Sequence, residues 1–341
     1  MWRAGCLCLC DFAVRRRWVI LAVMSIVFIG TPEFAVPSLK ALVDTGPDIA
    51  AVVTQPDRPA GRGRTLTPSS VKAAATEHGL TVLQPASLRD PEAVEQLRKL
   101  APEVMVAVAY GQILRREVLE IPPKGVLNVH PSLLPRWRGA TPIPAAILAG
   151  DNETGVSIML MDQGMDSGPI LAQQTTRLSD SETTATLTAS LAEVGASLLA
   201  HTLPRWLNGE ITPRPQNEEV ATVCHPLTKG DGAIDWTRPA TEIWRQVRAY
   251  DPWPGAFTPF DGESLRIWSA WPIEAVPSSE AVGTILGIPE DAPLEAQDAA
   301  FAVQTGDGVL AIHEVQRAGR NRLSSKEFLR GSPGLIGTVL G

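Results

Sequence analysis

Short apolar runs alternate with amphipathic stretches over the first two thirds of the chain. Residues 26–29 are an apolar run that stops at Gly30-Thr31-Pro32, and residues 34–43 continue with helical periodicity. That is a strand, a turn and a helix in the order that opens a doubly wound sheet. Residues 49–54, 82–84, 104–109, 126–130, 156–161 and 170–176 read as further strands. Helical patterns lie at 71–78, 90–99, 144–148 and 184–208. Gly79 ends the first of these and Asp90-Pro91 begins the second, as helix stop and start signals do. In the last, Leu187, Leu191, Val194 and Leu198 share one face. Pro204 is expected to kink that helix or end it early, because proline lacks an N–H and crowds the preceding turn. Strands alternating with helices at this spacing predict parallel βαβ units.

The pattern changes near Glu210. Residues 211–219 are polar and proline-rich, the composition of a linker. Beyond them the apolar runs are short and broken by Gly and Pro, at 256–260, 265–270, 283–286, 301–305 and 309–315. Short strands with frequent turn signals predict a small, OB-like β-barrel, here with one clear helix at 244–250. The expected organisation is therefore a doubly wound, Rossmann-like α/β domain over 24–209, a linker over 210–230 and a barrel-like domain over 231–341. The turn after the first strand holds one glycine, not the G-x-G-x-x-G that brings backbone against a pyrophosphate, which disfavours NAD.

Composition narrows the function classes. A chain of 341 residues suits two domains. With 44% hydrophobic and 20% charged residues it is an ordinary soluble protein. A net charge of −7 argues against a generic nucleic-acid binder, so any polyanion has to be met by local basic clusters. Cys6, Cys8 and Cys10 lie in the first ten residues and Cys224 stands alone. This is a poor zinc pattern and no disulfide framework, which points to a reducing, cytoplasmic setting. The five histidines are scattered without ligand spacing, so no metal is expected. Arg15-Arg16-Arg17 before an apolar run imitates a signal peptide. The second half of that run is the first strand of the domain, however, so Met24 is the expected start and residues 1–23 a dispensable extension. Those residues carry net +3, leaving −10 for the rest. A monomer without membrane attachment is the expectation.

The chemistry concentrates at residues 126–139, VLNVHPSLLPRWRG. Pro131 stops a short strand, and alternate strand residues share a face. Asn128 and His130 therefore point the same way at the strand's carboxyl end, where open α/β sheets bind ligands. An imidazole can take a proton from a nucleophile, and an amide N–H can donate to a developing oxyanion. A lone strand-end histidine is more often hydrogen-bonded in a core. The Asn-x-His pair followed by SLLP and two arginines shifts the balance towards catalysis.

Asn128-Val129-His130-Pro131-Ser132-Leu133-Leu134-Pro135 followed by Arg136-Trp137-Arg138-Gly139 resembles the signature of folate-dependent formyltransferases. The run from Met161 to Ile170, MDQGMDSGPI, is similar to their second motif, and GTPEFAVPSL at 30–39 resembles the start of the methionyl-tRNA formyltransferases. The likeness extends over roughly 24–331, including Ile234-Asp235-Trp236 and residues 251–256, DPWPGA, and it weakens at Cys224-His225, Lys229-Gly230 and 278–300. It implies Asp166 as the catalytic carboxylate, although an Asp in a Gly-rich loop is by default a turn-maker. It assigns Ser132, Leu133, Leu134 and Pro135 to tetrahydrofolate contact, with 10-formyltetrahydrofolate as formyl donor and initiator Met-tRNA as acceptor. The basic loop TQPDRPAGRGR at 54–64 is expected to be irregular. It looks like the family's RNA-reaching loop, with Arg58, Arg62 and Arg64 as tRNA contacts and Arg62 foremost; a solvated loop is the plain alternative. Arg136 and Arg138 are open between solvent, the folate glutamate and the RNA backbone. Arg317, Arg320, Arg322 and Lys326 suit a nucleic-acid face or a solvated rim about equally.

The reading these residues support is attack of the methionyl α-amino group on the formyl carbon, with Asn128 on the oxyanion, His130 on the proton and Asp166 orienting His130 or a relay water. The rivals are glycinamide-ribonucleotide or sugar-nucleotide formyltransferases and a formyltetrahydrofolate hydrolase. A noncatalytic RNA-binding protein on the same scaffold would need none of the three residues.

Overall fold

A computed structural model describes residues 25–60, 65–274 and 280–341. The proposed extension at 1–23, together with Arg62 and Arg64, lies outside the described residues. In chain order the first half comprises β1 (Ser25–Gly30), α1 (Val36–Thr45), β2 (Asp48–Val53), β3 (Arg58–Ala60), β4 (Thr65–Thr67), α2 (Ser70–Glu77), β5 (Val82–Leu83), α3 (Pro91–Lys99), β6 (Val104–Val108), α4 (Arg116–Leu119), β7 (Val126–His130), β8 (Arg138–Gly139), α5 (Pro142–Ala149), β9 (Glu153–Leu160), β10 (Ile170–Arg177) and α6 (Thr184–Leu207). The second half holds β11 (Val223–Cys224), α7 (Ala240–Ala249), β12 (Ala256–Phe260), β13 (Glu263–Ile273), β14 (Ile285–Leu286), β15 (Phe301–Gln304), β16 (Val309–Arg317), β17 (Leu323–Ser324) and α8 (Ser325–Arg330).

The main sheet has the order β10-β9-β7-β6-β1-β2-β5. Five strands run parallel, and β9 and β10 extend the β7 edge antiparallel. Alternation along β1 explains why both faces are covered. Ile26 and Phe28 pack with Leu39 of α1 and Leu191 and Leu199 of α6, while Val27 and Ile29 pack with Val94 and Leu97 of α3. The strand order reverses between β1 and β6, which sets the ligand crevice near the carboxyl ends of the central strands.

Three expectations are corrected. The loop after β2 is not irregular throughout: β3 and β4 form a two-stranded antiparallel ribbon with Arg58 opposite Thr67. Pro59 fits because both strands of a ribbon are edges. Of the two outcomes expected at Pro204, early termination does not occur: helix α6 runs on to Leu207. The proline falls in the last turn, where only one helical hydrogen bond is forfeited. The C-terminal half carries α8 as well as α7, and the Ser324 side chain caps α8 at the Glu327 amide.

That half is a curled antiparallel sheet, β12-β13-β16-β15-β14 with β17 on β16. Register shifts between Ile267 and Ala270 bend β13. Its core gathers Trp236, Trp244, Phe301 and Phe328. The C-terminal end of α7 is docked on the first sheet's helices: Ala249 and Tyr250 join their core, and Thr184 Oγ1 donates to the Ala249 carbonyl at 2.6 Å. No described helix is long and apolar enough to cross a membrane.

Candidate active site

A cavity of about 600 Å³ opens at the carboxyl ends of β6 and β7, a volume ordinary for a small-molecule site. Phe34, Tyr110, Leu114 and Ile143 give it an apolar wall, Asn128, His130 and Asp166 a polar end, and Leu227 and Trp253 reach it from the C-terminal half. Strand alternation places the polar pair as its spacing requires. Leu127 and Val129 are turned into the core beneath α6, leaving Asn128 and His130 on the opposite face.

His130 is 4% exposed, and its Nε2 lies 3.0 Å from the Trp137 carbonyl oxygen. Nδ1 lies 3.7 Å from Asp166 Oδ2, beyond a direct hydrogen bond. Asp166 is held by other donors. The Gly139 N–H donates to Oδ2 at 2.8 Å, and Asn128 Nδ2 approaches Oδ1 at 3.4 Å. An amide nitrogen carries two hydrogens, so Asn128 retains one for a ligand. Asp166 and Trp137 take left-handed φ angles of 51° and 60°, which cost a non-glycine residue on the order of 1–3 kcal/mol each. Their surroundings hold them there. Trp137 Nε1 donates to Asp151 Oδ2 at 2.8 Å, the Trp137 amide donates to Thr222 Oγ1 at 2.8 Å, and Arg136 stacks over the indole at 4.4 Å.

The formyl transferase family model matches residues 24–203, and the formyl transferase C-terminal domain matches residues 226–333. A methionyl-tRNA formyltransferase of Chloroflexus aggregans is 53% identical over 309 residues, 90% of this chain and 97% of that one. The Methylococcus capsulatus methionyl-tRNA formyltransferase is 46% identical over 93% of this chain and all of its own. The chain belongs to the methionyl-tRNA formyltransferase family. Among solved structures, an N-formyltransferase of Helicobacter canadensis aligns with a TM-score of 0.61 at 17% identity, covering 85% of this chain and 99% of that one. HypX of Aquifex aeolicus in complex with tetrahydrofolic acid aligns at 0.58 and 19% identity over 90% of this chain, which spans 47% of the HypX chain. These two likenesses speak to the fold alone.

Within this formyltransferase fold, Asn128, His130 and Asp166, which come from two separate motifs, converge at one end of one cavity. Ser132, Leu133, Leu134 and Pro135 do not line it. Ser132 is fully buried and donates to the Arg136 carbonyl at 2.6 Å, while Leu134 packs on Met159 and Ile170. The run is tied to β9 and β10: the Leu134 N–H donates to Ser157 Oγ at 3.1 Å, and its carbonyl accepts from Gln173 Nε2 at 2.9 Å. Arg136 pairs with Asp151 and Arg138 with Glu218, so both arginines expected to face solvent, folate or RNA are engaged within the chain. Arg58 donates to Gln55, whose own amide donates to the Tyr110 carbonyl at 2.7 Å, tying the ribbon's base to the cavity rim. Arg317 is paired with Asp261 and Glu263, Arg322 with Glu314 and Lys326 with Asp298. Among the described residues no group of three or more His, Cys, Asp or Glu could hold a metal.

Sequence reasoning missed four contributors: the Trp137 carbonyl, the Gly139 amide, Tyr110 and Gln216. Two are backbone groups, which leave no trace in residue type. Burial pushes the Tyr110 phenol up to about 12.

Proposed function

We propose that this chain transfers the formyl group of 10-formyltetrahydrofolate to the α-amino group of methionine on initiator tRNA. The observation that carries the reading is the identity of 46–53% to methionyl-tRNA formyltransferases across both halves of the chain. The arrangement of Asn128, His130 and Asp166 around one cavity supports it. The apolar wall suits the flat pterin of the donor, and the polar end suits the reacting formyl group.

The neutral amine attacks the formyl carbon, a C–N bond forms, and the carbonyl oxygen becomes an oxyanion. The Asn128 amide donates to that oxygen, which is stabilisation of the kind preorganised donors supply. Because the Trp137 carbonyl can only accept, the His130 proton resides on Nε2 and Nδ1 is the base. His130 takes the ammonium proton and passes it to N10 of the folate as the N10–formyl bond breaks. The products are formylmethionyl-tRNA and tetrahydrofolate. The Asp166 carboxylate stabilises the transient imidazolium across the 3.7 Å gap. Arg58 on β3, together with Arg62 and Arg64, contacts the acceptor end of the tRNA. Ser132 to Pro135, the segment that follows His130, serve the folate side of the site.

The test is a competition of acceptors. Donor labelled in the formyl group is offered with charged initiator tRNA, glycinamide ribonucleotide, an amino-sugar nucleotide or water alone. Label is expected on the tRNA only. Transfer to a small acceptor, or formate release as the main product, overturns the reading.

A further inference from the structure

The segment joining the two halves is built into the catalytic end of the cavity. Arg214 exchanges two backbone hydrogen bonds with Ile170, at 2.8 and 2.9 Å. Val223 and Cys224 pair in parallel with Arg138 and Gly139. Between these anchors the Gln216 side chain reaches under the Asp166 loop. Its Nε2 donates to the Asp166 carbonyl at 2.8 Å and to the Gly168 carbonyl at 2.7 Å. Its Oε1 accepts from Arg138 Nε at 3.0 Å. Arg138 is 7% exposed, and its two terminal nitrogens donate to both oxygens of Glu218 at 2.8 Å each. Such a bidentate pair fixes orientation as well as charge.

We infer that Gln216, locked by Arg138 and Glu218, is a positioning residue for the transfer reaction, acting through Asp166. The left-handed φ of Asp166 is unfavourable for a residue with a side chain, so the loop needs external partners to keep it. Gln216 supplies both hydrogens of its amide to the two carbonyls that flank the turn. The neighbour of Arg138, Gly139, gives its N–H to the Asp166 carboxylate. The Asp166 backbone and side chain are thus each held by one arm of the same clamp. Displacement of a reacting constellation by about 1 Å costs up to roughly 100-fold in rate.

The inference rests on the transfer reading above, and its test separates the two. Gln216→Ala, Gln216→Met and Gln216→Glu are compared with the wild-type full chain. Met keeps the volume without the donor, and Glu keeps the acceptor for Arg138 but sets oxygen against two carbonyls. All three are expected to lower kcat by about 10- to 100-fold, with KM for donor and tRNA unchanged. Wild-type kcat in Met would assign Gln216 to space-filling and overturn the inference, as would a loss confined to KM. If the Gln216 variants do not fold, Glu218→Gln takes their place; its kcat is expected to fall by about threefold, at the scale of one lost charge-assisted bond on an exposed partner. An unchanged kcat there overturns the inference. The Gly139 amide proton, bonded to a carboxylate, gives a readout free of turnover. Its NMR signal is expected to move upfield in the Gln216 variants, and an unmoved signal overturns the clamp. A wild-type chain without tRNA formylation, but with that signal shift on substitution, fails the functional reading and leaves the clamp standing.

Discussion

His130 Nε2 lies 3.0 Å from the carbonyl oxygen of Trp137, seven residues further along the chain. This is the imidazole's direct hydrogen bond, since Nδ1 stands 3.7 Å from Asp166 Oδ2; in the proposed mechanism Nδ1 is then the base. Replacing His130 by Ala is expected to lower kcat by at least about 100-fold, and Asn128→Ala by a similar factor, the usual cost of one oxyanion donor. Single-turnover transfer assays measure this, with circular dichroism as a check on folding. Near wild-type transfer in either variant would remove that residue from the mechanism.

The Tyr110 hydroxyl is buried and has no hydrogen-bond partner among the described residues. Tyr110→Phe removes an unsatisfied polar atom, so it is expected to match or exceed wild-type stability, by up to about 1–3 kcal/mol at neutral pH. The phenol ionises at about 12 in the fold because burial disfavours phenolate, against about 10 in the unfolded chain. Between these values the unfolded chain has lost a proton that the folded chain keeps, so wild-type stability falls as pH rises. The advantage of the variant should therefore widen from about pH 10 to 12. Thermal melts at neutral and alkaline pH decide it; a gap that narrows at high pH contradicts the assignment.

Gly139 has φ of 109°, and a Cβ placed on it would sit 2.3 Å from the Cys224 carbonyl oxygen. Gly139→Ala is expected to lose both stability and kcat, because the shift moves the amide that holds Asp166. Gly46 is the control: its φ is 80°, and a Cβ there would meet nothing within 4 Å. Gly46→Ala is expected to cost only the backbone penalty of about 1–2 kcal/mol and to keep kcat. Melting temperatures and kcat of the two variants are compared. Equal effects at the two positions would show that crowding at Gly139 is unimportant.

The arginines of the basic segment at 54–64 should act on RNA alone. Arg62→Ala and Arg62→Lys are both expected to lower activity on charged tRNA, with Lys the milder, since a point charge does not replace a planar fork. If Arg62 neutralises a phosphate, the salt dependence of tRNA binding becomes shallower in the Ala variant, by about 0.9 in logarithmic slope for a duplex. Folate KM should not move. Steady-state kinetics over a salt series test this, and a matching loss of folate binding would detach Arg62 from RNA recognition.

The fold was legible where side chains carry the signal. Apolar runs of strand length gave the central sheet, and Pro131 marked the end of β7 next to the pair it presents. The β3–β4 ribbon was not legible, because its pairing rests on backbone hydrogen bonds, and the composition around Pro59 argues against any strand there. At the site, Asn128, His130 and Asp166 stood out by chemistry and motif. The holders of that trio did not. The Trp137 carbonyl and Gly139 N–H have no residue-type signature, and Gln216 sits in a polar, proline-rich stretch that has the composition of a spacer. Its role arises only when residues about 50 and 80 positions earlier are brought against it.

The backbone pairing of β11 with β8 also bears on how such a chain can be recombined. A chimera that takes its C-terminal sheet from another formyltransferase inherits an intact catalytic loop if the junction lies beyond His225, since residues 214–225 then stay with the Arg138 and Asp166 they contact. A junction placed inside that stretch divides the clamp between two parents. The unit of exchange in this protein is therefore the first sheet together with the segment that leaves it.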